Sequence, residues 1–213
     1  MKTDTLHDTE PASGWVQRWS HLVKPQGVVL DVACGRGRHA RWFHERNHAL
    51  ALVDISQDAI DSIAKTLPLP SDRCEAVVAD IENGRWPFTG RQFDAVVVTN
   101  YLWRALMPTF LASLAPGGVL IYETFSHGNE TVGKPSRPDF LLRTGELLQV
   151  CSGLRIVAFE EGFHAGSAGQ SPRFVQRIVA VRETAGAADL PEARSTLPIN
   201  VPRYELPGSL GSG

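Results

Sequence analysis

The sequence predicts an α/β fold, a doubly wound and mostly parallel sheet of seven strands with an antiparallel hairpin strand at its edge. Three observations carry that expectation. From residue 28 onward, short apolar runs alternate with stretches of helical periodicity, the pattern of parallel strands joined by crossover helices. The first run, Val28 to Cys34, leads into a glycine turn, Gly35 and Gly37 with the small Ala40, spaced G-x-G-x-x-A. The last two runs, 154–160 and 174–181, flank a glycine-rich turn, HAGSAGQSP, as antiparallel neighbours do.

Taken in order, residues 1–14 read as a mobile polar tail, without the apolar stretch of a signal peptide. Ser13 caps a helix that Pro25 ends, and Trp15, Val16, Trp19, Leu22 and Val23 share one face of it. That face packs on the sheet, or the helix is a lid in which Trp15, Arg18 or Trp19 covers a ligand. The first strand, 28–34, precedes a helix over 38–46. The second, 49–55, ends in Asp54, and Ser56 opens a helix with Ile60, Ile63, Ala64 and Leu67 at helical spacing. Pro68 and Pro70 close that helix. A third strand over 75–79 ends at Asp80, and NGRWPFTGRQ follows as a loop. The fourth, 93–99, runs into Asn100 and Tyr101. A helix over 108–114 leads through a tight turn, Pro116-Gly117-Gly118, into a fifth strand over 119–125. Residues 126–139 form a long polar loop, Thr144 caps a helix through Cys151, and Gly153 stops it. Residues 184–213 are expected to be an extended or disordered tail. The domains are therefore a tail and helix over 1–25, a ligand-binding domain over 26–183 and a tail over 184–213.

Composition narrows the partners. A hydrophobic content of 43% with 21% charged residues is that of a soluble globular protein. A net charge of −2 argues against nucleic acid or an anionic membrane surface as partner. No apolar stretch reaches the roughly 20 residues that span a bilayer. Cys34, Cys74 and Cys151 lack CxxC spacing and read as reduced thiols of a cytoplasmic protein. Neither they nor the scattered histidines have the spacing of a metal site.

Three consecutive strands carry an acid at or near the carboxyl end: Asp31, Asp54 and Asp80. In such sheets ligands bind beyond those ends, so the acids share one rim. Asp54 stands where a carboxylate accepts hydrogen bonds from a ribose diol. A nicotinamide dinucleotide would use the glycine turn for its pyrophosphate. Asp31 repels a pyrophosphate and suits a cation, and Asp80 suits an adenine amino group. Both preferences favour S-adenosylmethionine, an adenosine joined through a sulfonium to an amino acid.

These stretches resemble the class I S-adenosylmethionine-dependent methyltransferases, a Rossmann-like family, over about residues 26–183. LDVACGRGRH is similar to the family's glycine motif and LVDIS to its acidic second motif. ADIEN resembles the third, FDAVVVTNYL the fourth and LAPGGVLIYETF the fifth. The resemblance implies that Ala33, Cys34, Gly35 and Gly37 face the methionine part of the cofactor. It implies that Asp54 holds the ribose hydroxyls, that Ile55 flanks adenine, and that Asp80 and Ile81 contact adenine. Asn100 and Tyr101 would lie beside the methionine end and the transferring methyl. GKPSRPDFLLRTGELL resembles the segment before the last helix of tellurite-resistance-type methyltransferases, whose substrates are small molecules or soft anions. TNYLWR departs from the Asn-Pro-Pro-Tyr stretch of nucleic-acid-modifying branches.

Methyl transfer from a sulfonium is an in-line displacement that needs alignment and exclusion of water, and a base only when the acceptor is protonated. Tyr101, Arg104, Glu123, His127 and Asn129 are the candidates near the methyl, with Tyr101 and His127 in the catalytic role. Each has a bland counterpart. Tyr101 and Trp103 pack under a loop, Arg104 is a solvated charge, Glu123 pairs with an arginine, and His127 and His164 are exposed loop histidines. The leading expectation is a methyltransferase acting on a small-molecule acceptor. A non-catalytic S-adenosylmethionine-binding sensor or partner subunit is the alternative, and an NAD-dependent oxidoreductase ranks last.

Overall fold

The computed structural model describes residues 10–166, 171–184 and 204–205. The strands are β1 (Val28–Val32), β2 (Ala49–Asp54), β3 (Cys74–Val78), β4 (Phe93–Thr99), β5 (Leu114–Phe125), β6 (Arg155–His164) and β7 (Arg173–Val181). The helices are α1 (Gly14–Trp19), α2 (Arg38–His44), α3 (Gln57–Ala64), α4 (Met107–Ala112) and α5 (Glu146–Val150). The sheet order is β3-β2-β1-β4-β5-β7-β6. Strands β1 to β5 are parallel, and β7 is antiparallel to both its neighbours. The hairpin stands at the edge as expected, but β6 forms the rim and the antiparallel strand lies one place in.

Strand alternation sends successive side chains to opposite faces and builds two apolar layers. Val29, Leu50, Leu52, Val97 and Ile121 pack with Trp15, Val16 and Trp19 of α1, Phe43 of α2 and Ile63 of α3. Leu30, Val32, Val53, Val98, Leu120 and Tyr122 pack with Phe88, Phe110 and Leu147 on the other face. The chain turns in opposite directions from β1, to β2 on one side and β4 on the other, so a cleft opens beyond their carboxyl ends.

Several elements depart from the expectation for local reasons. Residues 10–14 are no mobile tail: Ala12 and Ser13 are buried, and the Ser13 hydroxyl accepts the Val16 amide as the cap of α1. Residues 1–9 lie outside the described residues. Past Trp19 the helix tightens into a 3₁₀ turn, Ser20–Leu22. Pro116 to Gly118 form no separate turn. Strand β5 begins at Leu114, opposite Phe93, and a bulge brings Val119 opposite Ala95. A Cβ on Gly118 would lie 2.8 Å from the Phe93 carbonyl oxygen, so only glycine fits this approach. Thr144 does not cap α5. Gly145 does, in left-handed conformation, and donates its N–H to Glu161. The 126–139 loop holds two 3₁₀ turns, Asn129–Thr131 and Pro138–Phe140. Buried Asn129 orders it, donating to the Pro135 carbonyl and accepting the Phe174 amide. Of the C-terminal tail, Tyr204 packs against the layer containing α1 and the Glu205 carbonyl lies 2.9 Å from His21 Nε2. Residues 185–203 and 206–213 lie outside the described residues.

Candidate active site

Both central strands leave the sheet through a left-handed residue that is not glycine, Ala33 after β1 (φ +52°) and Asn100 after β4 (φ +54°). Side chains disfavour that region, so two such residues beside one cleft are held there by their surroundings. The Cys34 amide donates to the Val53 carbonyl, and the Asn100 amide donates to the Glu123 carbonyl. Gly35 (φ +52°) and Gly37 (φ +75°) complete the turn into α2. A Cβ on Gly37 would sit 2.7 Å from Ile63 of α3.

The three acids stand in different environments. Asp54 Oδ2 accepts the Gly35 amide at 2.8 Å, and its Oδ1 accepts the Ser56 amide at 2.9 Å. Asp80 accepts the Glu82 and Asn83 amides on Oδ1, and the Asn83 side chain donates to its Oδ2. The hydrogen bonds from Asn83 hold its carboxyl below the usual range. Asp31 is 1% exposed, and its Oδ2 has no hydrogen-bond partner. Burial pushes its pKa up to about 7, opposed by Arg38 and reinforced by Asp54.

Two adjoining cavities open at this rim. The first, about 370 Å³, is walled by Cys34, Gly35, Arg38, His39 and Asn100. The second, about 130 Å³, is walled by Asp54, Ile55, Asp80, Ile81 and Glu82. Ala33 and Tyr101 face both. Ile55 is 67% exposed, an apolar side chain left uncovered at a cavity that the buried Ile81 also lines. Asp31 lies in the strand behind the turn, and Gly37 packs on α3. His127 faces neither cavity. Its side chain is exposed, 3.4 Å from Glu130.

Several wall residues escaped the sequence reading: Glu10, Arg36, Arg38, His39 and Thr99. His39 is buried and held neutral, its pKa lowered to about 3 by burial. Its Nε2 accepts the Ser13 amide at 3.3 Å, and its Nδ1 lies 3.4 Å from the Thr99 hydroxyl. Its place one residue before Ala40 and four before Phe43, on the inward face of α2, was the available signal. Thr99 ends β4 and Asn100 follows it, so the strand-end rule that selected Asn100 extends to its neighbour. Burial raises the Tyr101 hydroxyl pKa, and the Glu82 carboxylate lies close enough to reinforce this yet outside hydrogen-bonding geometry. Cys34 is buried and its thiol pKa is raised by burial, so it packs as a small apolar residue. Arg104 binds both oxygens of Glu146 and the carbonyls of Asp139 and Leu141, a structural clamp. Glu123 is buried and ion-paired with Arg177, Nε to Oε2 2.5 Å, although the N–H does not point squarely at the oxygen.

Residues 29–118, which carry the glycine turn, the three acids and strands β1 to β4, match the family model described as "Methyltransferase domain". Over that stretch the chain is similar to methyltransferases. Solved structures agree at the level of fold. TehB from Haemophilus influenzae superposes with a TM-score of 0.67 at 17% identity, over 84% of this chain and 64% of that one. The chain thus spans somewhat less than two thirds of TehB. The N-methyltransferase NodS from Bradyrhizobium japonicum gives 0.58 at 16% identity, over 79% of this chain and 96% of its own. The glycopeptide N-methyltransferase MtfA, solved with S-adenosyl-L-homocysteine, gives 0.56 at 18% identity, over 82% and 91% of the two chains. No curated protein sequence matches the chain.

The residues at this rim fit S-adenosylmethionine, whose demethylated product is bound in the MtfA structure. A buried carboxylate with an unpartnered oxygen suits a cationic ligand, and an uncovered isoleucine beside an apolar cavity suits an adenine face. No helix among the described residues is long and apolar enough to cross a membrane.

Proposed function

We propose that the paired cavities hold S-adenosylmethionine lengthwise and that its methyl group passes to a small-molecule acceptor arriving beside Tyr101 and Asn100. The observation that carries this reading is the junction of the two cavities at Ala33 and Tyr101. The adenine end suits the smaller apolar one and the amino-acid end the larger polar one. Asp54 holds the ribose hydroxyls on its remaining lone pairs, Ile55 and Ile81 sandwich adenine, and Asp80 accepts from its amino group. Gly35, Cys34 and Asn100 line the methionine end.

The bound cofactor supplies an activated methyl on sulfur, and the protein contributes alignment. His39 serves as a strut and not as a base, because its Nε2 lone pair already accepts the Ser13 amide. Tyr101 stays protonated at neutral pH and can donate to an acceptor or steer it. His127 receives no part in the chemistry. Residues 26–183 form the catalytic domain, and the acceptor's small size is supported by the weak net charge of −2. Cys34, Cys74 and Cys151 are buried and unpaired, which suits a reducing compartment such as the cytoplasm.

Titration calorimetry with S-adenosylhomocysteine and with NAD tests the site, and transfer of a labelled methyl group into a small-molecule extract tests the reaction. Binding of the thioether alone and a labelled small product are expected. Binding of NAD alone would overturn the proposal.

A further inference from the structure

The segment ahead of α1 reaches the larger cavity through one residue. Glu10 is part of that cavity's wall, although 28 residues separate it from its partner Arg38. The pair is 2.8 Å long, Glu10 Oε1 to Arg38 Nη1, with side-chain exposures of 46% and 17%. The other end of the segment is fixed. Ser13 is buried, its amide donates to His39 Nε2, and Gln17 donates to the Ala12 carbonyl. Pro11 between the two ends restricts the backbone and stiffens a four-residue strap.

We propose that Glu10 is a latch, closed on Arg38, that gates ligand exchange at the larger cavity, with His39 as the positioning residue that anchors its hinge. The proposal rests on that cavity being the methionine end of the cofactor site. A charged pair half in water is screened by salt and adds only modestly to closure, so little free energy holds it shut. The anchor at Ser13 is buried and uncharged, so it holds while the latch moves. Opening withdraws one side chain from the cavity wall without disturbing α1, whose tryptophans stay in the core. Such a gate lets a ligand enter and leave faster or slower without changing how tightly it sits.

Stopped-flow binding of S-adenosylhomocysteine to the full chain and to Glu10→Gln tests this. Removing the charge is expected to raise association and dissociation rates together, by about two- to fivefold, with little change in Kd. Raising salt from low to high is expected to speed exchange in the natural protein and to leave the variant unmoved. A rise in association alone would make Glu10 a competitor for Arg38, and a rise in dissociation alone would make it a direct ligand contact. Either result, or unchanged rates, overturns the latch. Failure of the natural protein to bind the thioether in calorimetry overturns the cofactor reading itself, and the latch with it.

Discussion

The Asp54 carboxylate accepts the Gly35 amide at 2.8 Å, so the acid that ends β2 holds the glycine turn that ends β1. Its other oxygen holds the start of the next connection at Ser56. One side chain thus braces a wall residue of the larger cavity and itself lines the smaller one. Asp54→Ala is expected to weaken S-adenosylhomocysteine binding by roughly 10- to 100-fold, because hydrogen bonds to a charged group contribute about 1.5–3 kcal/mol. Asp54→Asn keeps the shape but one terminal atom no longer accepts, and it should fall between. Calorimetric affinities within twofold of the natural protein for Asp54→Ala would refute this.

Asp31 makes stability and binding respond to pH in opposite senses. Its pKa of about 7 lies above the ordinary 3.8, so between those values the native chain keeps a proton that the unfolded chain has lost. Stability therefore falls as pH rises from about 4 through 7, by roughly 4 kcal/mol at most. A cationic ligand favours the ionised carboxylate, so affinity should rise from pH 6 to pH 8, with proton release on binding. Asp31→Asn should flatten both profiles and gain stability at pH 8. Chemical denaturation across pH and calorimetry in buffers of different ionisation enthalpy provide the readings. A natural protein with pH-independent stability in this window would contradict the argument.

The two glycines of the turn should fail in different ways. A Cβ on Gly35 meets nothing within 4 Å, whereas one on Gly37 meets Ile63 at 2.7 Å. Both carry positive φ, so alanine costs about 1 kcal/mol at either from backbone strain alone. Gly37→Ala adds a clash that pushes α2 from α3 and should lose roughly 2–4 kcal/mol. Gly35→Ala should fold nearly as well but bind cofactor poorly, since its methyl projects from the wall of the larger cavity. Equal thermal melting of the two variants would sink the distinction.

Much of this architecture was legible because periodicity and composition report local facts. Strand β4 matched its expected span, and the acids at 31, 54 and 80 and the cap at Ser56 stood where the pattern put them. The contributions that were missed are tertiary. Glu10 belongs to a polar stretch with no periodic signal, and only the packing of α1 on the sheet brings it to Arg38. His127 looked suited to chemistry because it opens a polar loop after β5. The bonds of Asn129 and the clamp of Arg104 tie that loop down, and the imidazole is left in solvent. The bulge at Gly118 depends on a neighbouring strand's carbonyl and has no local signature.

The buried pair of Glu123 and Arg177 separates a structural role from a chemical one. Glu123 pairs in register with Thr99, which faces the larger cavity, and its carbonyl holds the strained Asn100. A carboxylate so placed invites a catalytic assignment. Yet Glu123 is 2% exposed and engaged by Arg177, which also reaches Glu160. Arg177→Met leaves a buried charge unpaired and should cost roughly 3–5 kcal/mol. Pairing it with Glu123→Leu removes that charge, so the double variant should regain most of the loss, because a buried ion pair often gives no more stability than an apolar pair of similar volume. Neither variant alters the backbone amide and carbonyl that fix Asn100. Methyl transfer by the double variant should therefore stay within a few-fold of the natural rate, measured at saturating cofactor. A double variant that melts like the natural protein but transfers no methyl group would return Glu123 to the reaction.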